Sequence, residues 1–213
     1  MTVRWVLVIL LCASLSAALH VPSDCVLVPA AAHAPGAQLD GQAAGTFGAL
    51  GCFSFFSNKN LVTGEGGLVV ARDPDLTERL RRLRSHGMTS LTWDRHRGHA
   101  SSYDVVALGY NYRMDEIHAA LGLVQLEKLA TNNQRRRELS ADYRAALAGN
   151  PWLELSFSQP RGLPACHLFV ALLREPALRP AFVKHLMRLG IQTSLHYPTI
   201  HRFSNYQDRF GTS

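Results

Sequence analysis

A single lysine, Lys59, lies in a loop between two short apolar runs, a setting in which an amine can do chemistry. The runs cover residues 51–56 and 67–71; both are aromatic or β-branched and are bounded by Gly, Asn or Thr. Runs of this kind predict buried strands. A lysine between two buried strands is partly removed from water, which lowers the pKa of its amine and makes the neutral form available. A lysine that forms a Schiff base needs that neutral form.

The plainer interpretation of Lys59 is a solvated loop residue, because a lone lysine in an Asn-rich turn usually has no other role. Its scarcity makes it stand out: the chain of 213 residues has a net charge of +6, mostly from arginine, and lysine recurs only at Lys128 and Lys184. The positive charge suits an anionic ligand such as a nucleotide sugar, or nucleic acid, without choosing between them. Because no Lys/Arg block carries interleaved aromatic residues, we do not expect a nucleic-acid surface.

The four cysteines, Cys12, Cys25, Cys52 and Cys166, have the spacing of neither a zinc site nor a disulfide framework. Residues 1–20 have the pattern of a secretory signal, with Arg4 before an apolar run and small residues after it. The apolar run is too short to predict a membrane span. Taken alone, this segment favours a secreted binding protein, and cytoplasmic retention of the native chain would exclude that alternative.

The spacing of apolar residues predicts the remaining elements. A strand is expected at 25–28, and a helix from Asp73-Pro74 that carries Leu76, Leu80 and Leu83. Two further helices are expected, one after residue 113 and one at 132–147, before a domain boundary at the Gly-Asn-Pro turn of residues 149–151. After this boundary, the residue pattern predicts a β-β-α-β order, with elements at 152–157, 166–173, 180–189 and 191–195.

The string around the lysine, FSFFSNKNLVTGEGGLVV at residues 53–70, resembles the cofactor-lysine segment of the DegT/StrS-type sugar aminotransferases, which use pyridoxal phosphate (PLP). The resemblance continues through LRSHG (83–87), YDVVALGYNYRMDEIHAALGLVQLEKL (103–129) and GIQTSLHYPTIHRFSNY (190–206). It implies an α/β fold of the aspartate-aminotransferase type. Residues 1–24 would be signal-like or artefactual, residues 25–150 a partial PLP-binding large domain, and residues 151–213 a partial α+β small domain. We therefore expect a chain that is incomplete at both ends.

The resemblance also implies roles for individual residues. Lys59 would bond the cofactor and carry the proton during amino transfer, with His33 against the cofactor ring and Ser54 at its phosphate. Asn111 would reach the phosphate in a neighbouring subunit. Contacts with the substrate would come from Arg113, His196 and Tyr197. The implied partners are a nucleotide-linked keto sugar, an amino-acid donor such as glutamate, and a second copy of the chain, in the cytoplasm and without nucleic acid, membrane or metal. Without the resemblance, His33, Ser54 and Asn111 are ordinary loop or strand residues.

One position departs from the family pattern. The family has an aspartate that keeps the pyridine nitrogen of PLP protonated, and here that position holds Ala30, after Pro29. Loss of this carboxylate weakens the ring as an electron sink. The sequence therefore leaves two alternatives open, an active aminotransferase and a catalytically inactive relative, unless the residues before about position 31 are themselves in error. A dehydratase branch that has histidine in place of the lysine is disfavoured, because Lys59 is present.

Overall fold

A computed structural model describes residues 29–90, 98 and 102–211 of the chain. The signal-like segment and the strand predicted at 25–28 lie outside the described residues. Within them the chain forms three antiparallel two-stranded sheets and four α-helices. A 3-10 segment, Pro29–His33, precedes the first sheet, in which β1 (Gln38–Leu39) pairs with β2 (Gln42–Ala43).

The two strands predicted beside Lys59 are present and pair with each other. β3 (Leu50–Ser54) lies antiparallel to β4 (Gly67–Ala71), with Cys52 opposite Val69. Their burial is unequal, since β3 begins with buried residues whereas Gly67, Leu68 and Val69 are exposed. The prediction that both strands are buried is therefore wrong for β4.

Helix α1 (Pro74–Leu83) begins as predicted, because the Asp73 side chain accepts a hydrogen bond from the Asp75 backbone N–H. Its leucines cover one end of the hairpin, where Leu83 packs with the buried Leu50 and with Ala71. Burial of these side chains is what holds α1 to the β3–β4 hairpin.

Residues 104–112 run antiparallel to the segment that follows α1. The Tyr110 N–H donates to Leu83 O over 2.6 Å, the Tyr112 N–H to Arg84 O over 2.9 Å, and the Val106 N–H to Gly87 O over 3.0 Å. This pairing places the start of the next helix beside the Lys59 loop.

Helix α2 (Glu116–Ala146) has 31 residues and is continuous. The prediction of two helices here is wrong, because neither Gly nor Pro occurs between Gly122 and Gly149 to interrupt the backbone hydrogen bonds. The helix begins at Asp115, whose side chain accepts from the His118 N–H over 2.9 Å, and it ends just before the predicted turn at residues 149–151.

The last part of the chain follows the prediction in part. β5 (Leu153–Leu155) pairs with β6 (Ala171–Leu173), and α3 (Arg179–Arg188) lies where a helix was expected. Residues 166–170 are not strand, because this segment turns back toward the Lys59 loop. Residues 191–195 also form no strand, since in the described ranges they pair with no neighbouring strand. A short helix, α4 (Ser204–Phe210), closes the described chain.

Candidate functional site

Lys59 lies in the loop that joins β3 to β4, and its amine meets a histidine. Its backbone N–H donates to Phe56 O over 3.0 Å, and its Nζ lies 2.7 Å from His33 Nε2. The residue is half-buried, and burial lowers the pKa of the Lys59 amine. The hydrogen bond requires a lone pair on one partner, so Lys59 and His33 cannot both be protonated while the bond holds.

His33 is the last residue of the 3-10 segment, and this segment packs against β3. Burial, followed by the charges of Lys59 and His196, lowers the pKa of His33. At neutral pH the His33 ring is therefore uncharged and can accept the hydrogen bond from the amine.

A second histidine, His167, completes the site, although it lies far from the loop in sequence. The rings of His33 and His167 are 4.3 Å apart between centroids, and His167 Nδ1 lies 2.9 Å from Asn60 Oδ1. Burial and the positive charges of its neighbours lower the pKa of His167 to about 4. The sequence analysis missed this residue; the only local signal was a histidine at the start of an otherwise apolar run.

Asn60, the neighbour of Lys59, is 5% exposed and connects three parts of the chain. Its Nδ2 donates to Asn133 Oδ1 on α2 over 2.8 Å and to Ala165 O over 2.7 Å. Asn133 in turn donates to Pro35 O over 2.8 Å. Each of these buried polar groups is thereby satisfied, and the backbone beside Lys59 is fixed from several sides.

The far side of the Lys59 loop packs on the start of α2. Gly122 of the helix faces the buried Thr63, whose methyl group would lie 3.1 Å from a side chain at position 122. Gly66 has a φ of +144°, and a side chain there would lie 2.6 Å from Met114 Cε. Glycine is favoured at position 66 because other residues rarely adopt this backbone conformation.

Comparison with known proteins agrees with this geometry. The model of the DegT/DnrJ/EryC1/StrS aminotransferase family matches residues 17–213. The chain belongs to this family.

Solved structures support the same assignment. The chain is 30% identical to Helicobacter pylori PseC, an aminotransferase involved in the biosynthesis of pseudoaminic acid; the TM-score is 0.76, over 85% of this chain and 48% of that one. It is 36% identical to S. venezuelae DesV, solved with a ketimine intermediate; the TM-score is 0.72, over 84% and 45% of the two chains. For the PLP form of Spr1654 from Streptococcus pneumoniae, a proposed sugar aminotransferase, the identity is 26%, the TM-score 0.73 and the coverage 84% and 45%.

This DegT-family chain therefore has the predicted fold, part of the aspartate-aminotransferase type, and it spans about half the length of these structures. The fold assignment made from the sequence is confirmed. In the described ranges no helix is long and apolar enough to cross a membrane, and the same ranges hold no cluster of His, Cys, Asp or Glu suited to a metal ion.

The structure brings together only some of the predicted site residues. His196 is half-buried, lies close enough for its charge to lower the pKa of His33 and His167, and its Nδ1 is 3.1 Å from Ser194 Oγ. Tyr197 follows it and is 64% exposed. Ser54 ends β3, where its Oγ accepts a hydrogen bond of 3.4 Å from the Phe56 N–H.

In the part of the chain that the structure describes, the side chains of Asn111 and Arg113 make no hydrogen bond with Lys59. Both are exposed, and Asn111 forms an isolated backbone bridge with Ser85. Among the residues that the structure describes, neither side chain makes a hydrogen bond or an ion pair. Their roles at the cofactor and the substrate stay predictions.

The residues present fit PLP in part. The charges that act on the Lys59, His33 and His167 cluster are all basic, and they include His196 and Arg136. An amine with a lowered pKa, close to basic groups that include the cation of Arg136, suits an aldehyde that carries a phosphate. The position at which the resemblance places a carboxylate for the pyridine nitrogen holds Ala30.

Proposed function

We propose that the chain carries the amine and part of the binding site for PLP-dependent amino transfer to a nucleotide-linked keto sugar, with glutamate as the amino donor. The observation that carries this proposal is the contact of 2.7 Å between Lys59 Nζ and His33 Nε2, in a chain that matches the DegT/DnrJ/EryC1/StrS aminotransferase family. Burial lowers the pKa of Lys59, so at a given pH a larger fraction of its amine is neutral than in an exposed lysine.

Each residue of the site has a role in this scheme. PLP, when bound, supplies the aldehyde that accepts the amino group and the ring that withdraws electrons. Lys59 would bond the cofactor and be displaced from it by the amino donor; its free amine would then move the proton from the donor's Cα to the C4′ carbon of the cofactor. His33 would lie against the ring, and the Ser54 hydroxyl would donate to the phosphate. On the substrate side, Arg113, His196 and Tyr197 contact the nucleotide sugar.

We further propose that the active unit is a homodimer. Large apolar side chains are exposed along residues 103–112 and the first turns of α2; they are Tyr103, Val105, Val106, Leu108, Tyr112, Ile117, Leu121, Leu123, Val124 and Leu126. Exposed apolar surface of this extent is typical of an interface. Asn111 and Arg113 lie in the same stretch. A second copy bound there would bring its Lys59 site next to them, so that Asn111 of one copy would contact the cofactor phosphate held by the other.

The division into large and small domains at the turn of residues 149–151 remains part of this proposal, because β5, β6, α3 and α4 all follow that turn. Membership of the family also leads us to propose a cytoplasmic location.

A single-turnover assay tests the function. The chain is loaded with PLP, freed of excess cofactor and mixed with L-glutamate, and 2-oxoglutarate is quantified. The expected result is about one equivalent of 2-oxoglutarate per bound PLP for the unmodified chain and none above background for Lys59→Ala. Equal yields from the two proteins would overturn the assignment of Lys59.

A second candidate, a catalytically inactive relative, is favoured by one observation, alanine at position 30. Without a carboxylate the pyridine nitrogen loses its proton more readily, and removal of the Cα proton slows. The same assay separates the candidates, because an inactive relative would bond PLP at Lys59 and release no 2-oxoglutarate.

A further inference from the structure

We propose that His167 is a positioning residue for the Lys59 amine: Asn60 fixes its ring plane, and the fixed ring holds His33 against Lys59. This inference rests on the proposed function only in taking Lys59 as the reactive amine. The residues that carry it come from four separate parts of the chain: the 3-10 segment, the Lys59 loop, α2 and the segment around residue 165.

The first step concerns the tautomer of His167. The Asn60 amide nitrogen donates to two acceptors, Asn133 Oδ1 and Ala165 O, which sets the orientation of the amide. Asn60 Oδ1 is therefore the group that faces His167 Nδ1, at 2.9 Å. An oxygen without a proton can only accept, so the hydrogen lies on Nδ1 of His167.

The second step concerns charge. With Nδ1–H bonded to Asn60, a second proton on His167 would have to enter at Nε2, among groups that are themselves basic. The charged or titratable groups that act on it are His33, Lys59, Arg136 and His196, and none of them is acidic. The ring of His167 is thus kept neutral, and it can pack on the His33 ring, 4.3 Å away, without adding a charge beside the amine.

The third step joins the ring to the lysine. His33 contacts His167 through its ring and Lys59 through Nε2, so displacement of the His167 ring removes one support of the His33 ring. Water that enters there solvates the ammonium form of Lys59 and raises its pKa toward the ordinary value. The segment that carries His167 is itself held in place, because Gln38 and Leu163 exchange two backbone hydrogen bonds, of 2.9 and 2.8 Å.

The test reads the protonation of Lys59 directly. The full chain, without added PLP, is labelled briefly with trinitrobenzenesulfonate between pH 6 and 11, and modification of Lys59, Lys128 and Lys184 is quantified by peptide mass spectrometry. His167→Phe keeps an aromatic ring but cannot donate to Asn60. We expect its Lys59 to react about threefold or more slowly than wild type at pH 8, with a profile moved to higher pH. His185→Phe, on the exposed face of α3, is the matched control and should match wild type.

An unchanged Lys59 profile in a folded His167→Phe protein would overturn the proposal, because ring volume alone would then suffice. If that variant does not fold, the ¹⁵N spectrum of the wild-type histidines decides. We expect neutral His167 with its hydrogen on Nδ1, and the Nε2–H tautomer would overturn the proposal. Failure of the proposed function would give a different result from failure of this inference. Wild-type Lys59 would then form no bond with PLP, while the pH profile of Lys59 labelling would still shift in His167→Phe.

Discussion

At the scale of single residues, specific sequence motifs predict Lys59, His33 and His196 as site residues. The structure places His33 in contact with Lys59, and the functional roles of the three residues stay predictions. His167 could not be found from the sequence, because its role depends on Asn60, which is 107 residues away in the chain. A hydrogen bond across that separation exists only once the fold has formed. Local sequence also cannot show that Asn60, in a loop rich in asparagine, is 5% exposed.

The position held by Ala30 leads to a prediction about rate. We expect Ala30→Asp to speed amino transfer by about tenfold or more, since a carboxylate beside the pyridine nitrogen raises its pKa by at least about one unit. The measurement is the single-turnover rate with L-glutamate. Ala32→Asp, two residues away in the same 3-10 segment, serves as the control and should give no gain. A rate that does not rise in Ala30→Asp would mean that position 30 does not face the cofactor ring.

The neutral histidines make stability depend on pH. The pKa of His167 is about 4 in the folded chain against 6.5 in the unfolded one, so the unfolded chain binds more protons between these values. The free energy of unfolding should therefore fall as pH drops from 6.5 to 4, by about 1 to 2 kcal/mol for this half-buried group. His33, whose pKa is also lowered, contributes with the same sign.

Urea unfolding at pH 7, 5.5 and 4.5 measures this slope. His167→Asn keeps a donor near the Nδ1 position and removes the titration, so its slope should be smaller. His185→Asn should retain the full slope. Identical slopes in all three proteins would show that His167 titrates normally.

At the scale of elements, the positions of β3, β4, α1 and α3 could be predicted from turn residues and apolar spacing. The long α2 was predicted as two helices because its apolar stripe changes to a basic sequence near residue 132, although no residue there breaks a helix. The prediction of a strand at 191–195 is wrong for a different reason. Strands need partners, and their availability is a property of the fold rather than of the segment.

The contact between α2 and the Lys59 loop depends on Asn133. Asn133→Ala removes one of the two acceptors of Asn60 Nδ2 and leaves Pro35 O without the donor that Asn133 supplies, and we expect a loss of about 2 to 3 kcal/mol in the free energy of unfolding. Asn132→Ala, the exposed neighbour on the same helix, should change it by less than about 0.5 kcal/mol. Equal effects in urea unfolding would mean that the buried amide network adds nothing to the packing of the loop.

At the scale of the whole molecule, the described chain has a small buried core and a long exposed apolar face. Few large side chains are fully buried, whereas Leu108 and Ile117 are 82% and 81% exposed. The sequence predicted a second copy of the chain through its family resemblance alone. The structure adds the location of a surface that such a copy can cover, together with the exposure of Asn111 and Arg113 within it.

Ile117→Glu tests that surface. Because Ile117 is exposed in the single chain, the substitution should leave the helix content of the folded chain nearly unchanged but weaken self-association by about tenfold or more. Sedimentation velocity over a concentration series measures this. Met187→Glu, a similarly exposed apolar residue on α3, is the control. Association that is unaffected by Ile117→Glu would place the interface elsewhere.

The central claim is that Lys59 is the amine that bonds PLP, and the chain supplies its own controls in Lys128 and Lys184. The most direct measurement is borohydride reduction of the full chain with PLP, followed by peptide mass spectrometry. We predict about one phosphopyridoxyl group per chain, confined to Lys59 and formed at pH 7, where its lowered pKa leaves more neutral amine than an exposed lysine has. Modification spread evenly over the three lysines, or absent from Lys59, would contradict the claim.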